Sequence, residues 1–283
     1  MKRIVCQDKD GNTVEFTYDG APLRLADTDG FSAAAYTVNT AQNTGQDGET
    51  YLSSTANKRN PVITVEILSD YQAQRDRLYS FFQPRSEGTV IYYENDSPGR
   101  KAGYYVESID VEESGAIRQA VISLICPDPV WKALEDESVS MAQLVGDMEF
   151  PAEVIGNFTV SHRNENVMAI IPNDSNAARG LTITFEASGE VTNPALIEAT
   201  RQERLQVDVT MHSGDILTVT TGPNNKRVLL TSGGVTSNVN NRWVYGSTWL
   251  QAEPGRNIYR YTAESGEASL SATIRSTPAY WGA

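Results

Sequence analysis

Histidine and cysteine, the residues that most often build metal and catalytic centres, are scarce in this sequence. Only two of its 283 residues are histidine and two are cysteine. His162 and His212 lie far apart with no carboxylate at ligand spacing, so a zinc or iron site is not expected. No phosphate-binding loop, dinucleotide-binding motif or G-x-S-x-G nucleophile motif is present. The sequence therefore predicts no metal ligands, no cofactor and no catalytic residues, and so a protein that is not an enzyme.

Two cysteines are too few for a disulfide-stabilised scaffold. Cys6 and Cys126 fall in strand-like segments at opposite ends of one predicted domain. We expect two reduced thiols that pack as small apolar side chains. A disulfide between the two strands is the alternative.

Positive charge and long apolar runs are also lacking. Lys and Arg number 23 against 36 Asp and Glu, and residues 1–130 and 131–283 carry similar net charges of −7 and −6. An evenly acidic chain disfavours tight binding to the nucleic-acid backbone, which requires clustered basic residues. No segment approaches the roughly 18 apolar residues of a membrane helix. The first residues reach Asp8 without the apolar run of a secretory signal, so we expect a protein made in the cytosol.

Alternation of apolar and polar residues dominates the first half and is typical of strands. The strands predicted there are residues 4–7, 13–18, 31–39, 62–68, 89–93, 103–111 and 118–126. One helix is predicted after Ser69, which forms a capping box with Gln72, and Pro84 ends this helix. Residues 41–58 are polar and contain glycine, which favours a long loop or an extended hairpin.

The second half is again a series of short strands. They are predicted at residues 152–160, 181–187, 195–199, 205–211, 216–221, 227–231, 242–245, 257–262 and 268–275. Short strands separated by turns at this spacing favour a β-sandwich or jelly roll. Between the halves, Pro127 and Pro129 mark a boundary, and the acidic residues 131–146 are predicted to form a partly helical linker. The prediction is a mainly β protein with domains at 1–130 and 147–283.

One aromatic cluster contains Trp243, Tyr245 and Trp249, next to Asn241 and Arg242. Aromatic faces stack on sugar rings, and amide and guanidinium groups bind hydroxyls, so the cluster is a candidate glycan contact. On the predicted strand, Trp243 and Tyr245 share one face. This arrangement suits packing between two sheets equally well, and both interpretations stay open.

Short motifs occur in a characteristic order along the chain. The second half contains N-P at 193–194, G-D-x-L-x-V-x-T at 214–221 and L-x-x-x-P-G-x-N at 250–257. The first half contains R-N-P-V-I-T-V at 59–65 and C-P-D-P-V-W at 126–131. In this order the motifs resemble those of the distal tail proteins of long-tailed, siphovirus-type bacteriophages.

The resemblance implies an N-terminal β-sandwich with one helix and an extended loop at 41–58, followed by a C-terminal galectin-like β-sandwich. In this family six copies form a ring, and the extended loop reaches over the neighbouring subunit as a belt. The belt residues implied here are Gly45, Gln46, Asp47, Gly48, Glu49 and Tyr51.

The resemblance also implies a virion protein at the tail tip or baseplate that is assembled in the host cytoplasm. Its ring connects the tail tube to the tail hub and the host-adhesion apparatus, and DNA only passes through it. The implied partners are further copies of the chain, the major tail-tube protein, the tape-measure protein, the tail-associated hub protein and the receptor-binding protein, with no membrane. A related ring of a contractile tail or a bacteriocin particle is not distinguished from this by the sequence.

A function of a different class is a carbohydrate-binding module that recognises host cell-wall glycan through residues 147–283. A galectin-like fold does not itself establish sugar binding. The galectin sugar site resembles H-x-N-P-R, whereas residues 162–165 read H-R-N-E, without the Pro-Arg. The segment that starts at Trp249 also departs from the galectin spacing W-x-x-E-x-R. Saturable glycan binding would distinguish this module from a purely structural protein.

Overall fold

The computed structural model describes residues 2–95, 97–112, 118–141, 144–146, 161–163 and 168–283. The chain divides into two compact units. Unit 1 comprises Met1–Leu134 and Ala279–Ala283, and unit 2 comprises Glu135–Pro278. The strand predicted at 152–160 lies outside the described residues. Within the described ranges, no helix is long and apolar enough to cross a membrane.

Unit 1 is built from strands and a single stretch of α-helix in its described part. The strands are β1 (Lys2–Asp8), β2 (Thr13–Thr17), β3 (Leu23–Asp29), β4 (Tyr36–Ala41), β5 (Thr50–Ala56), β6 (Val62–Ile67), β7 (Glu87–Glu94), β8 (Arg100–Val111), β9 (Gln119–Ile125) and β10 (Trp131–Ala133), with helix α1 at Tyr71–Phe81. The prediction of a mainly β unit with one helix is confirmed in these residues.

In its described residues, unit 2 consists of strands with two short 3-10 turns at Asn240–Arg242 and Glu267–Ser269. The strands are β11 (Glu137–Met141), β12 (Leu144–Gly146), β13 (Ser161–Arg163), β14 (Met168–Asn173), β15 (Arg179–Ala187), β16 (Val191–Thr192), β17 (Ala195–Glu198), β18 (Glu203–Gln206), β19 (Thr210–Met211), β20 (Ile216–Gly222), β21 (Asn225–Ser232), β22 (Val235–Asn238), β23 (Gln251–Ala252), β24 (Gly255–Thr262) and β25 (Leu270–Ser276). A last strand, β26 (Ala279–Tyr280), belongs to unit 1.

The main sheet of unit 1 closes on itself. Its strand order is β26-β10-β8-β7-β1-β2-β3-β6-β9, and β8 also pairs with β9. The long strand β8 pairs with β7 through residues 100–105 and with β9 through residues 105–111, where a register irregularity occurs between Val106 and Ser108. Alternate residues of the strands point into the enclosed core, where the fully buried side chains include Ile4, Phe16, Ile63, Leu78, Ile122 and Leu124. Closure leaves few exposed sheet edges in the barrel.

Helix α1 covers the barrel core with Leu78, which is fully buried. The predicted capping box at Ser69 is wrong. Asp70 takes the N-cap position in the left-handed region with φ of 50°, and no side chain caps the helix. The helix ends at Phe81, before Pro84, and Phe82 at its C-cap is fully buried. Packing of these apolar residues therefore stabilises the helix more than its cap does.

The predicted linker 131–146 contains three strands, β10, β11 and β12, instead of a partial helix. Trp131 is fully buried in β10, and β11 pairs with β25 of unit 2. The linker was predicted from the acidic composition of this segment. Glu135 and Asp136 lie between β10 and β11 and not within either strand. Strand β3 was also missed, and the strand predicted at 31–39 begins only at Tyr36.

Residues 279–283 return to the barrel. Strand β26 pairs antiparallel with β10, so that Tyr280 lies opposite Trp131. The Arg100 guanidinium donates a hydrogen bond to the carbonyl oxygen of Gly282, and its Cζ lies 4.0 Å from the ring centroid of Tyr280. The N–H of Ala283 donates to a carbonyl oxygen of the barrel over 3.2 Å. Sequence reasoning had placed these residues in the second domain.

The buried side chain of Arg59 joins four segments of unit 1. Its guanidinium donates hydrogen bonds to the carbonyl oxygens of Ser32, Pro129 and Trp281. Its Cζ lies 5.6 Å from the ring centroid of Trp131. Burial lowers the pKa of Arg59, but a guanidinium remains charged near neutral pH. The buried charge is thus compensated by three carbonyl dipoles, one of them on residues 279–283.

Two sheets pack face to face in unit 2. The larger runs β11-β25-β15-β20-β21-β22, with β23 paired to β15, and the smaller runs β14-β24-β17-β18. Both contribute to one core, whose fully buried residues include Ile183, Phe185, Leu196, Leu205, Val219 and Tyr259. At one point β15 and β20 approach closely, since a Cβ added to Gly180 would lie 2.3 Å from the Cα of Gly222. This arrangement is a β-sandwich.

The buried carboxylate of Glu198 holds the turn between β17 and β18. It accepts hydrogen bonds from the N–H groups of Arg201 over 2.6 Å and Ile258 over 3.3 Å. Burial alone would raise the pKa of Glu198, but these N–H groups and the nearby Arg201 guanidinium hold it below its ordinary value. The carboxylate is therefore a structural anion within unit 2.

Both cysteines are buried, free thiols in unit 1. Burial raises the pKa of both thiols, that of Cys126 to about 12. The thiols pack within the barrel core as small apolar groups.

Candidate functional site

The hairpin β4–β5 of unit 1 forms its own two-stranded sheet, separate from the barrel sheet. Tyr36 pairs with Ala56 at one end and Ala41 with Thr50 at the other, with an irregularity after Asn39. The residues of both strands are exposed, apart from the partly buried Ala41 and Ala56. The alternative of an extended hairpin is therefore the correct one for residues 41–58, and its first strand begins five residues earlier.

Apolar side chains are displayed on this exposed hairpin. Tyr36, Val38, Tyr51 and Leu52 are 47%, 56%, 61% and 61% exposed, respectively. An isolated two-stranded hairpin is marginally stable in water, and its outer N–H and C=O groups are unpaired. The hairpin thus presents both backbone and apolar groups that a second surface can cover.

The structure places the six predicted belt residues together at the tip and along β5. Gly45 and Gly48 adopt φ of 81° and 85°, the left-handed region that glycine tolerates. Between them the N–H of Gln46 donates to a carbonyl over 3.3 Å. The Glu49 carboxylate accepts a hydrogen bond from a threonine hydroxyl across the hairpin. The Tyr51 hydroxyl donates to Ser54 over 2.9 Å, and Asp47 lies exposed at the tip.

The base of the hairpin is fixed to unit 1. The Thr37 hydroxyl donates to the side-chain oxygen of Asn57 over 2.9 Å. The N–H of Asn57 donates to the carbonyl of Ala35 over 2.8 Å. The rings of Tyr36 and Trp281 lie 5.8 Å apart. The base of the hairpin is therefore held by hydrogen bonds between its two flanks and by a ring contact with Trp281. The sequence predicted a strand that includes Tyr36 and Val38, but it did not indicate that this strand belongs to the hairpin.

The aromatic cluster of unit 2 does not form the predicted strand. Residues 240–242 form a 3-10 turn, and the Asn240 side chain accepts a hydrogen bond from the N–H of Val228 over 2.5 Å. Trp243 stacks on Trp249 with ring centroids 3.9 Å apart, and both pack against the core. Tyr245 is fully exposed at 103%. Trp243 and Tyr245 thus have different environments and do not share a strand face.

Beside Tyr245 lies a polar cleft of about 440 Å³. It is formed by segments that are distant in sequence, and its polar lining comes from Asn193, Gln206, Asp208, Asn241, Arg242 and Glu264. The backbone holds these segments together: the N–H of Asp208 donates to the carbonyl of Arg242 over 2.8 Å. Asn241 and Arg242 had been noted from the sequence beside the aromatic cluster, whereas no local motif places Gln206, Asp208 and Glu264 next to them.

The described part of the chain contains no cluster of metal-binding side chains. There, no group of three or more His, Cys, Asp or Glu side chains is placed to hold a metal ion. The exposed hairpin and the polar cleft are two described features that suit binding.

Residues 10–126 match the family model of the phage tail protein RIFT-related domain. No curated protein sequence matches the chain. Among solved structures, SPP1 Dit, described as a paradigm of the hub adsorption apparatus in phages that infect Gram-positive bacteria, is similar over 99% of both chains. Its TM-score is 0.71 and its sequence identity is 14%. This similarity extends over both units.

Chains of the phage P2 baseplate in its activated conformation are also similar. In the structure with Ca the TM-score is 0.53 at 9% identity, covering 97% of each chain. In the structure with Sr the TM-score is 0.52 at 10% identity, covering 97% of this chain and 98% of the other. Identities this low show a shared fold. The resemblance inferred from the motifs is confirmed: the chain has the fold of SPP1 Dit, a siphophage distal tail protein, and its residues 10–126 match the RIFT-related phage tail domain.

Proposed function

We propose that this protein is a structural component of a phage tail tip or baseplate. Six copies form a ring that connects the tail tube to the tail hub and the host-adhesion apparatus. The observation that carries this proposal is the similarity to SPP1 Dit over 99% of both chains. Its site of action is the virion tail, and it is assembled in the host cytoplasm without catalytic turnover.

The hairpin of residues 36–56 is the belt between neighbouring subunits. A cyclic ring needs two different surfaces on each copy, one that reaches out and one that accepts. The exposed Tyr51 and Leu52 are the apolar contacts that such an acceptor surface would bury. The hairpin contains Asp47 and Glu49 but no Lys or Arg. A neutral or basic acceptor surface on the next copy therefore suits it.

DNA passes through the proposed ring without being held. The chain carries a net charge of −13, which repels the phosphate backbone and disfavours retention. The further partners are the major tail-tube protein, the tape-measure protein, the tail-associated hub protein and the receptor-binding protein. These partners rest on the family resemblance and on the phage baseplate structures that share the fold.

Mass in solution tests the ring. Light scattering over a wide concentration range should show a species of about six times 31.0 kDa, and negative-stain images should show a central hole. The double variant Tyr51→Ser, Leu52→Ser should shift the mass toward the monomer while the melting temperature stays close to that of the wild type. Val235→Ser is a matched control, since Val235 is 71% exposed in a hairpin of unit 2.

Two results would contradict the proposal. A wild-type protein that remains monomeric at the highest concentration, with no rings in images, would count against the hexamer. Equal oligomer masses for the wild type, the double variant and the control would show that the hairpin is not the belt.

A further inference from the structure

We propose that the cleft beside Tyr245 in unit 2 binds a neutral saccharide. This function is separate from ring formation, which depends on the hairpin of unit 1. The cleft has a volume of about 440 Å³, and small-molecule sites span roughly 300–1,000 Å³. Its combination of one exposed aromatic ring with several amide and carboxylate groups is the chemistry that recognises a ring bearing many hydroxyls.

Tyr245 supplies the stacking surface. Its side chain is fully exposed, so both faces of the ring are available to the C–H face of a sugar. The neighbouring backbone is fixed: the N–H of Val244 donates to the carbonyl of Gln206 over 3.2 Å, and the N–H of Ser247 to the carbonyl of Val244 over 3.1 Å. Gly246 permits this turn with φ of 84°. Little backbone order is lost on binding, because the ring is presented by an ordered turn.

The two tryptophans have a supporting role. Trp243 and Trp249 stack on each other with ring planes inclined by 13°, and both pack against the core of unit 2. Each ring already has an aromatic partner. Of the three aromatic residues predicted as glycan contacts, we therefore assign stacking to Tyr245, while the tryptophan pair supports the wall from which it projects.

The polar lining retains capacity for ligand hydroxyls. Asp208 and Arg242 are 64% and 58% exposed, and their closest charged atoms lie 4.0 Å apart, too far for a hydrogen bond. Both groups can therefore bind a ligand: the carboxylate accepts from hydroxyls and the guanidinium donates to them.

One carboxylate of the cleft is held in place. Glu264 accepts a hydrogen bond from the Asn193 amide over 2.7 Å. Asn193 itself adopts φ of 52°, a conformation that asparagine tolerates in turns. Its N–H donates to the carbonyl of Val209 over 2.9 Å, which fixes its backbone. The cleft is thus formed before any ligand arrives.

Charge selects among saccharides. The cleft is lined by two carboxylates, Asp208 and Glu264, and one guanidinium, Arg242. This excess of negative charge disfavours phosphorylated or uronic-acid sugars, whose anionic groups the carboxylates repel. Neutral hexoses and N-acetylhexosamines are the ligands that the lining fits.

The experiment titrates the full-length protein with methyl glycosides of glucose, galactose, N-acetylglucosamine and N-acetylgalactosamine, followed by calorimetry and ligand-observed NMR. We expect saturable binding of at least one glycoside with a Kd of about 1 mM. Tyr245→Ala should weaken that binding about tenfold or more, as expected for a contact residue. Tyr105→Ala is the control, because this tyrosine is 47% exposed in unit 1, and it should leave binding unchanged. Melting temperatures verify that each variant is folded.

Failure of every glycoside to bind saturably, or equal affinity for wild type and Tyr245→Ala, would overturn the proposal. Exclusive binding of an anionic sugar in a parallel titration would also overturn it. If a protein component of the tail bound at Tyr245 instead, with no saccharide binding, the cleft would be a protein-docking surface and the proposal would be wrong. The oligomer mass of Tyr245→Ala is expected to equal that of the wild type, so failure here is distinguishable from failure of the ring.

Discussion

Replacing Arg59 with alanine is expected to release residues 279–283 from the barrel and to destabilise unit 1. The change removes three hydrogen bonds from a charged donor to carbonyl oxygens, including that of Trp281. Hydrogen bonds to charged groups contribute about 1.5–3 kcal/mol each, or about 4.5–9 kcal/mol together. Burying the guanidinium costs several kcal/mol, and the variant avoids that cost. We therefore expect the free energy of unfolding of unit 1 to fall by about 2–4 kcal/mol.

Hydrogen exchange measured by mass spectrometry is the suitable assay, because peptides report on each unit separately. Peptides from β10 and β26 should lose protection in Arg59→Ala, whereas those from β15 in unit 2 should keep it. Arg24→Ala is the control in the same barrel. Arg24 is 46% exposed and pairs with Glu66, and such surface ion pairs contribute about 0–1 kcal/mol.

Two outcomes would refute this reasoning. If Arg59→Ala destabilised unit 1 no more than Arg24→Ala does, the three carbonyl contacts would contribute little to stability. If residues 279–283 stayed protected in the variant, strand pairing with β10 alone would be sufficient to hold them.

Gly180→Ala should lower the melting temperature clearly, with a loss of about 1–3 kcal/mol, because the new Cβ would lie 2.3 Å from the backbone of Gly222. The matched variant Gly222→Ala should cost far less, since its Cβ would meet its nearest neighbour only at 4.0 Å; equal losses measured by thermal unfolding would contradict this asymmetry. The Glu198 carboxylate should make the stability of unit 2 depend on pH. Its pKa in the folded protein lies below the ordinary 4.5. Its stabilising contribution is therefore complete above pH 4.5 and is lost as the pH falls through the lower pKa of the folded state. Glu198→Gln should therefore have a lower free energy of unfolding than the wild type at neutral pH. Below pH 4.5 the variant should lose less stability than the wild type. If the free energies of unfolding of the two proteins fell in parallel down to low pH, the role assigned to the Glu198 carboxylate would be contradicted.

Alternation of side chains made much of the β architecture predictable. Strands such as β15, β20 and β24 were predicted to within about two residues, because one face of each strand is buried and its apolar residues recur at every second position. The hairpin at 36–56 was predicted in outline from its polar composition and glycines. Its first strand was predicted at residues 31–39 as a separate element, whereas it runs from Tyr36 to Ala41 and belongs to the hairpin.

Features that depend on distant contacts were not predictable. Trp131 looked like the start of a linker, because its burial depends on a strand almost 150 residues further along the chain. The capping box at Ser69 had the right residues, yet the left-handed backbone at Asp70 prevents it. The polar cleft combines Asn193, Asp208 and Glu264, which share no local motif and meet only through the pairing of their segments.

The return of residues 279–283 to unit 1 has a consequence for biosynthesis. A ribosome makes the barrel first, then the whole of unit 2, and only afterwards the segment that pairs with β10 and meets the base of the hairpin through Trp281. A nascent or prematurely terminated polypeptide therefore carries an unfinished barrel edge beside Trp131. The order of synthesis thus sets the order of assembly, because the hairpin acquires its finished base only after residues 279–283 have been made and have paired with the barrel.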